Sequence, residues 1–338
     1  MRAFFDHDQL LHRPLTRLAG GELRATVETP ERAERLLAAL RSADVDIAAP
    51  GMYPEDLLER VHSAEYLDFL RNGFEEWSKH SGNGPEMRAS AHPVRAQARI
   101  PRDILGRAGY FQADASCVVT AGTWQAARAS AMTALASVEH VLRSGEVAYG
   151  LCRPPGHHAA RDLAGGFCYL NNSVIAAEMA VAQGLRVAIL DVDVHHGNGT
   201  QALFYDRENV LTVSLHGAPE DLYPYYSGYA DETGIGAGEG RNLNLPLPLM
   251  SGIDVWQAAM NSARSAIGTF KPDLMVIALG LDAFVGDPFA CMALETDDFA
   301  RLGEMSRYAC PTVIIQEGGY PTDALGANLL RFLEGLVG

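Results

Sequence analysis

A chain of 338 residues holds one large domain or two smaller ones, at about 150 residues per domain. Apolar residues make up 48% and charged residues 20%, which excludes a disordered chain, a coiled coil and a collagen-like repeat. The formal net charge of −15, from 27 Lys and Arg against 42 Asp and Glu, opposes a nucleic-acid surface, which needs phosphate-neutralising cations.

The first residues, Met1 to Asp8, contain no apolar run followed by a small-residue cleavage site, so no secretory signal is expected. From Trp77 to Arg102 the chain is polar and oddly punctuated (Ser81-Gly-Asn-Gly-Pro85, His92-Pro93, Arg99-Ile-Pro-Arg102). A loop this long in a compact domain is usually functional, and it reads as an insertion at about 77–105 bordering the site or a dimer interface. Beyond residue 120, apolar runs alternate with amphipathic stretches. Helical spacing marks Thr123–Leu142, Asn172–Gln183, Val255–Thr269 and Asp297–Tyr308. Val147–Leu151, Arg186–Val194, Val210–Leu215, Leu274–Leu281 and Thr312–Ile315 read as buried strands. This alternation predicts an α/β fold with a parallel sheet covered on both faces, and a site beyond the carboxyl ends of its strands. No stretch approaches the roughly 18 apolar residues of a membrane span. The five cysteines (Cys117, Cys152, Cys168, Cys291, Cys310) form no CxxC pair and suit a reducing cytoplasm.

Four clusters carry chemistry, each at a strand's carboxyl end. The segment Asp191-Val-Asp-Val-His195-His196-Gly-Asn198-Gly places residues 191, 193 and 195 on one face of an extended strand. Two carboxylates and an imidazole there suggest a metal or a buried ion-pair cluster, since ionised Asp is seldom buried unpaired. In a helix-capping reading Asn198 is the cap, but a cap accounts for one residue only. Cys152-Arg-Pro-Pro-Gly156-His157-His158 puts two imidazoles on a stiff loop, suited to proton transfer, with Asp191 and Asn198 as candidates to fix their tautomers. Gly280-Leu-Asp282 supplies a third acid. With Asp193 and His195 it makes a three-ligand site leaving a position for water, as in catalytic zinc, though Mn²⁺ or Fe²⁺ also fits. Glu317-Gly318-Gly319-Tyr320 can swing a phenol into a cleft.

In this order, with Gly166-Phe-Cys-Tyr-Leu-Asn-Asn172 and Val213-Ser-Leu-His216, the sequence resembles the histone deacetylase superfamily from Thr29-Pro-Glu-Arg32 to its last helix. Within it the chain is most similar to the bacterial acetylpolyamine amidohydrolases, through Gly20-Gly-Glu-Leu, the 77–105 insertion, Gly122-Thr-Trp124 and Gly228-Tyr-Ala-Asp-Glu-Thr-Gly234. The resemblance implies a single-domain arginase/deacetylase fold over 1–338, with a mostly parallel sheet of about eight strands. It implies one Zn²⁺ held by Asp193, His195 and Asp282, with His158 as general base and then acid, His157 paired to Asp191 as electrostatic partner, and Tyr320 polarising the carbonyl. Asn198 stands where many members have Asp behind the base, which leaves the imidazole less basic. A structural K⁺ is implied at Asp191, Ser214, Leu215 and the carbonyls of Asp193 and His195, and a second near Phe204, Arg207 and Val210. Phe167 and Tyr223 occupy the positions of the acyl-tunnel walls, with Gly166 and Gly318 beside the substrate.

The implied activity is removal of acetyl or short acyl groups from small cationic acetylated amines, by a cytoplasmic homodimer joined through the insertion. One departure stands out: the two acidic positions expected to bind a distal ammonium read Leu105 and Ser116, with Asp103 and Asp114 nearby. A deacetylase of acetyl-lysine side chains or another small amide is therefore the alternative. A binuclear manganese ureohydrolase is disfavoured because Gly280 stands where a further metal-binding acid is needed. A non-catalytic sensor is disfavoured because every motif is intact.

Overall fold

The structure, a computed structural model, describes residues 1–338. Its strands are β1 (Arg2–Phe4), β2 (Thr16–Ala19), β3 (Glu22–Ala25), β4 (Asp46–Ala48), β5 (Ala148–Gly150), β6 (Val187–Asp191), β7 (Val210–Gly217), β8 (Asn242–Leu247), β9 (Leu274–Leu279) and β10 (Thr312–Gln316). Its α-helices are α1 (Pro30–Ser42), α2 (Asp56–Glu59), α3 (Ala64–Ser78), α4 (Ile104–Phe111), α5 (Thr123–Ser144), α6 (Asn172–Val181), α7 (Asn198–Phe204), α8 (Ile253–Phe270), α9 (Asp298–Met305) and α10 (Leu325–Val337). Eight strands form one sheet in the order β4-β1-β5-β10-β9-β6-β7-β8, and every pairing in it is parallel. β2 and β3 form a separate antiparallel hairpin.

The central strands alternate between two apolar layers. Val187, Ile189, Val276, Val313 and Ile315 pack with α3, α5 and α6, while Ala188, Leu190, Ile277, Leu279 and Ile314 pack with α1, α8, α9 and α10. Both faces are covered, which is why these strands read as unbroken apolar runs. Local signals set the helix ends. Asn171 caps α6 by accepting from Val174 N, and Gly145 closes α5 at a φ of 73° that favours glycine.

From β6 the chain moves outward to β7 and β8, whereas β9 and β10 fill back toward β5. The crevice at the carboxyl ends of β6 and β9 is therefore the switch point where open α/β sheets place their ligands. The segment at about 77–105 lies between two helices. α3 runs through Trp77, which is buried and donates its indole N–H to Gly84 O, and α4 begins at Ile104. Between them the chain is irregular apart from a 3₁₀ turn at Arg95–Gln97. Glu86 of this segment accepts from the backbone N–H of Leu15 and Thr16 and so braces the hairpin.

Candidate active site

The expected strand Arg186–Val194 stops at Asp191, because the carboxylates turn the chain: Asp193 N donates to Asp191 Oδ1 and His195 N to Asp193 Oδ1, at 3.0 and 2.9 Å. Residues 193 and 195 thus project from two successive Asx turns rather than from a pleat. Their side chains still converge. One oxygen or nitrogen each from Asp193, His195 and Asp282 lies within 4.8 Å of the others, and all three residues are buried. Gly318 N donates to Asp193 Oδ2 at 2.7 Å, and Val194 N to Asp282 Oδ1 at 3.3 Å. A Cβ at Gly318 or Gly280 would collide with these carboxylates, so glycine is required at both.

Asp282 Oδ2 is left without a hydrogen-bond partner, with His195 Nδ1, which pairs with Asp193 Oδ1 at 3.1 Å, lying 3.2 Å away. An orphaned, buried carboxylate oxygen among two carboxylates and an imidazole is the donor set of a divalent cation. The three residues therefore fit the implied metal. A second group, His157, Cys168 and Glu317, is also close enough to hold an ion, but Glu317 is already saturated. It accepts from Gly156 N, His157 N and the Ser173 hydroxyl.

The histidine pair sits against this cluster with rings 4.0 Å apart. His157 Nδ1 donates to Asp191 Oδ2 at 2.9 Å, and His158 Nδ1 to Asn198 Oδ1 at 2.7 Å, leaving Nε2 of His158 as an acceptor. Gly197, not Asn198, occupies the cap of α7, which frees Asn198 to orient the imidazole. Burial lowers the His157 imidazole, but the Asp191 and Asp193 carboxylates outweigh it and push it up to about 10. His158 lies well below the usual histidine range, from burial first and then from the neighbouring His157 and His195. The pair thus divides into a cation and a neutral base.

Tyr320 is anchored by its backbone N–H on Asp287 Oδ2, at 3.0 Å, and by edge-on packing against Phe289 and Phe167, at 4.9 and 5.9 Å. Gly319, at φ 105°, makes the turn that delivers it. A cleft of about 410 Å³ opens over this floor, lined by His158, His195, Gly166, Phe167, Tyr223 and Tyr320 among others. The Tyr223 ring stands edge-on to His158 at 4.9 Å, with its hydroxyl donating to Asp114 Oδ2. Gly166 lies against the His158 ring, where a Cβ would clash.

Asp191 and Ser214 line a small cavity of about 10 Å³ with His196, Gly197 and Thr200. The Ser214 hydroxyl pairs with His216 Nδ1, and Leu215 is buried in β7. Phe204 is buried at the end of α7, Arg207 pairs with Glu178, and Val210 begins β7. Of the four residues near the missing acidic positions, Leu105 is exposed on α4 and Asp103 caps that helix, while Ser116 and Asp114 line the cleft. Motif reading missed Arg17, Phe289 and Asp287 around the cleft, and missed that Glu317 grips the histidine loop. Gly20-Gly21 was the available turn signal for the hairpin that bears Arg17.

Fold and cleft together define a hydrolytic α/β enzyme of the deacetylase architecture. The histone deacetylase domain model matches residues 26–336. Acetylpolyamine amidohydrolase 1 of Pseudomonas aeruginosa is 43% identical over 100% of this chain and 99% of its own, and the Mycoplana ramosa acetylpolyamine amidohydrolase is 39% identical over 100% of both. The crystal structure of the Burkholderia pseudomallei acetylpolyamine aminohydrolase superposes with a TM-score of 0.94 at 40% identity, over 99% of this chain and 98% of that one. The chain belongs to the histone deacetylase family and is an amide-hydrolysing enzyme. No helix is long and apolar enough to cross a membrane.

Proposed function

We propose that this protein is a metal-dependent amidohydrolase that removes acetyl or other short acyl groups from small acetylated amines. The names of its relatives point to acetylpolyamines. The observation that carries the reading is the orphaned Asp282 Oδ2 beside Asp193 and His195, on the floor of a cleft that also presents His158 and Tyr320. Zinc is the ion the family implies, with Fe²⁺ or Mn²⁺ compatible with the donors. When bound, it supplies Lewis acidity that acidifies a water and polarises the scissile carbonyl.

The chain's own residues do the rest. His158, neutral and oriented by Asn198, takes a proton from the attacking water through Nε2 and returns it to the leaving amine. The cationic His157, fixed on Asp191, stabilises negative charge developing nearby. Tyr320 has no protein partner for its hydroxyl, and it donates to the carbonyl oxygen as that oxygen becomes negative. Phe167 and Tyr223 flank the entering chain and exclude water and branched groups. The same reading takes the small cavity at Asp191 and Ser214 as the structural K⁺ site, and 77–105 as a homodimer surface of a cytoplasmic enzyme.

The test is acetate release from N-acetylputrescine and from neutral N-butylacetamide, by protein whose metal content has been counted. One ion per chain with turnover of either amide is the expected result. One ion per chain with no turnover of either, nor of the length-matched 5-acetamidopentanoate, would sink the reading.

A further inference from the structure

The mouth of the cleft holds a charged group that the reaction above leaves idle. Arg17 of β2 lines the cleft with its guanidinium carbon 5.2 Å from the Phe289 ring centre. Phe289 packs on Tyr320 and on His195, at 4.9 and 5.5 Å, so the cation stands one aromatic ring from the reacting floor. Arg17 Nε is buried without a hydrogen-bond partner.

The neighbouring acids are committed elsewhere. Glu86 serves Thr16 and Arg88, and Glu22 pairs with Arg24. Asp114 accepts from Gly166 N and the Tyr223 hydroxyl on one oxygen, and from Ser116 N and Cys117 N on the other. Arg24, opposite Arg17 in the hairpin register, is the residue that Glu22 neutralises. The positions expected to meet a distal ammonium offer nothing acidic: Leu105 does not line the cleft, and the Ser116 hydroxyl donates to Leu18 O.

We propose that Arg17 determines specificity, and that the substrate carries a carboxylate at the end remote from its acyl group. The substrate class is then short ω-acylamino carboxylates rather than acetylated diamines. A half-buried guanidinium is the group best shaped to hold a carboxylate through two parallel hydrogen bonds, and its partial desolvation strengthens the pair. The net charge of −15 acts at longer range and is screened beyond about 10 Å at 0.1 M salt. Hydrolysis is unchanged: the acyl C–N bond breaks, water supplies hydroxyl to the carbon and a proton to the nitrogen, and acetate and an ω-amino acid leave. The inference rests on the amidohydrolase reading.

The experiment compares kcat/KM for pairs matched in length, 5-acetamidopentanoate against N-acetylputrescine and 6-acetamidohexanoate against N-acetylcadaverine. Calorimetric titration of the same four compounds into Tyr320→Phe protein gives a readout independent of turnover. The wild type is expected to favour each carboxylate by about tenfold or more, the scale of one net charge pair. Arg17→Gln removes that preference, Arg17→Glu inverts it, and raising the salt from about 50 to about 500 mM shrinks it in the wild type. Preference for the ammonium compounds, or a ratio unmoved by Arg17→Gln, overturns the proposal. Failure to hydrolyse any compound, N-butylacetamide included, sinks the amidohydrolase reading instead, and the calorimetric ratio still decides the role of Arg17.

Discussion

Tyr320 and His158 are positioned by contacts that a substitution can spare. The Tyr320 ring is held by Phe289 and Phe167, its backbone by Asp287, and Arg32 lies 5.5 Å from its centre. Tyr320→Phe keeps these and deletes only the hydroxyl, so kcat should fall about 10²–10³-fold, as for loss of one oxyanion donor, with the melting temperature unchanged. Near-normal turnover would remove Tyr320 from the mechanism. Asn198→Asp places a carboxylate where His158 Nδ1 now meets an amide oxygen at 2.7 Å. A negative partner favours the imidazolium and raises the pKa of a base that must be deprotonated to act. The acid limb of kcat/KM should therefore move to higher pH, and a limb that stays put would assign the base elsewhere. The convergence of the histidine pair, the carboxylates and Tyr320 on one cleft was legible because each lies in a compact motif beside a strand end. Glu317 was not legible in its role, because its partners Gly156 and His157 lie 161 and 160 residues away in sequence. Arg17 and Phe289 were hidden for the same reason, since their meeting joins β2 to the loop after β9.

At the scale of elements, the strongest apolar runs became strands, with ends set by side-chain chemistry rather than hydropathy. β6 loses its last three expected residues to the Asx turns at Asp191 and Asp193. β1 and β4 have three residues each, too few for any pattern to show. β8 is an edge strand of alternating polarity, whose Asn242 and Asn244 side chains donate inward to Gln201 Oε1 and whose Pro246 suits an edge. One inter-element tie is titratable. His62, in the turn between α2 and α3, accepts from Asn171 N through Nε2 and donates through Nδ1 to Ala160 O, which joins this turn to the cap of α6. Burial lowers its imidazole from 6.5 to about 4. The unfolded chain therefore binds more protons between those values. The contribution of His62 is fully present above pH 6.5 and is lost as pH falls through about 4. Its size is about 3 kcal/mol. His62→Gln, whose amide can serve both bonds without titrating, should flatten the dependence of the urea midpoint on pH across this window. An unchanged slope would show that His62 is already protonated in the fold.

For the molecule as a whole, the parallel sheet between two cores was legible because strands buried on both faces must be apolar throughout. The first third of the chain was less so. The hairpin of β2 and β3 lies outside the main sheet, and three of its four β3 residues are as polar or small as a loop. Yet that hairpin, braced by Glu86, supplies one wall of the cleft through Arg17, Leu18, Ala19 and Gly20. The proposed specificity group therefore sits on the part of the chain with the faintest pattern, and the floor of the cleft on the part with the clearest.

The same architecture predicts a fold stabilised by a bound ion. Asp191, Asp193 and Asp282 are gathered at the carboxyl ends of adjoining strands, all buried, and burial together with the neighbouring Asp193 carboxylate raises Asp282 above the usual carboxylate range. A divalent cation relieves this repulsion in the folded chain only, so binding should stabilise the fold by mass action, about 4 kcal/mol at a thousandfold excess over Kd. Chelation should then lower the melting temperature by several degrees, since 1 kcal/mol shifts Tm by roughly 2–4 °C in a protein of about 150–250 residues and by less in a longer chain. Asp282→Asn removes one charge from the cluster and its orphaned oxygen from the ligand set. That variant should melt at one temperature with and without chelator, and above the chelated wild type. A wild-type Tm indifferent to chelation, in protein shown to carry one ion, would mean that the carboxylates balance their charges by protonation instead.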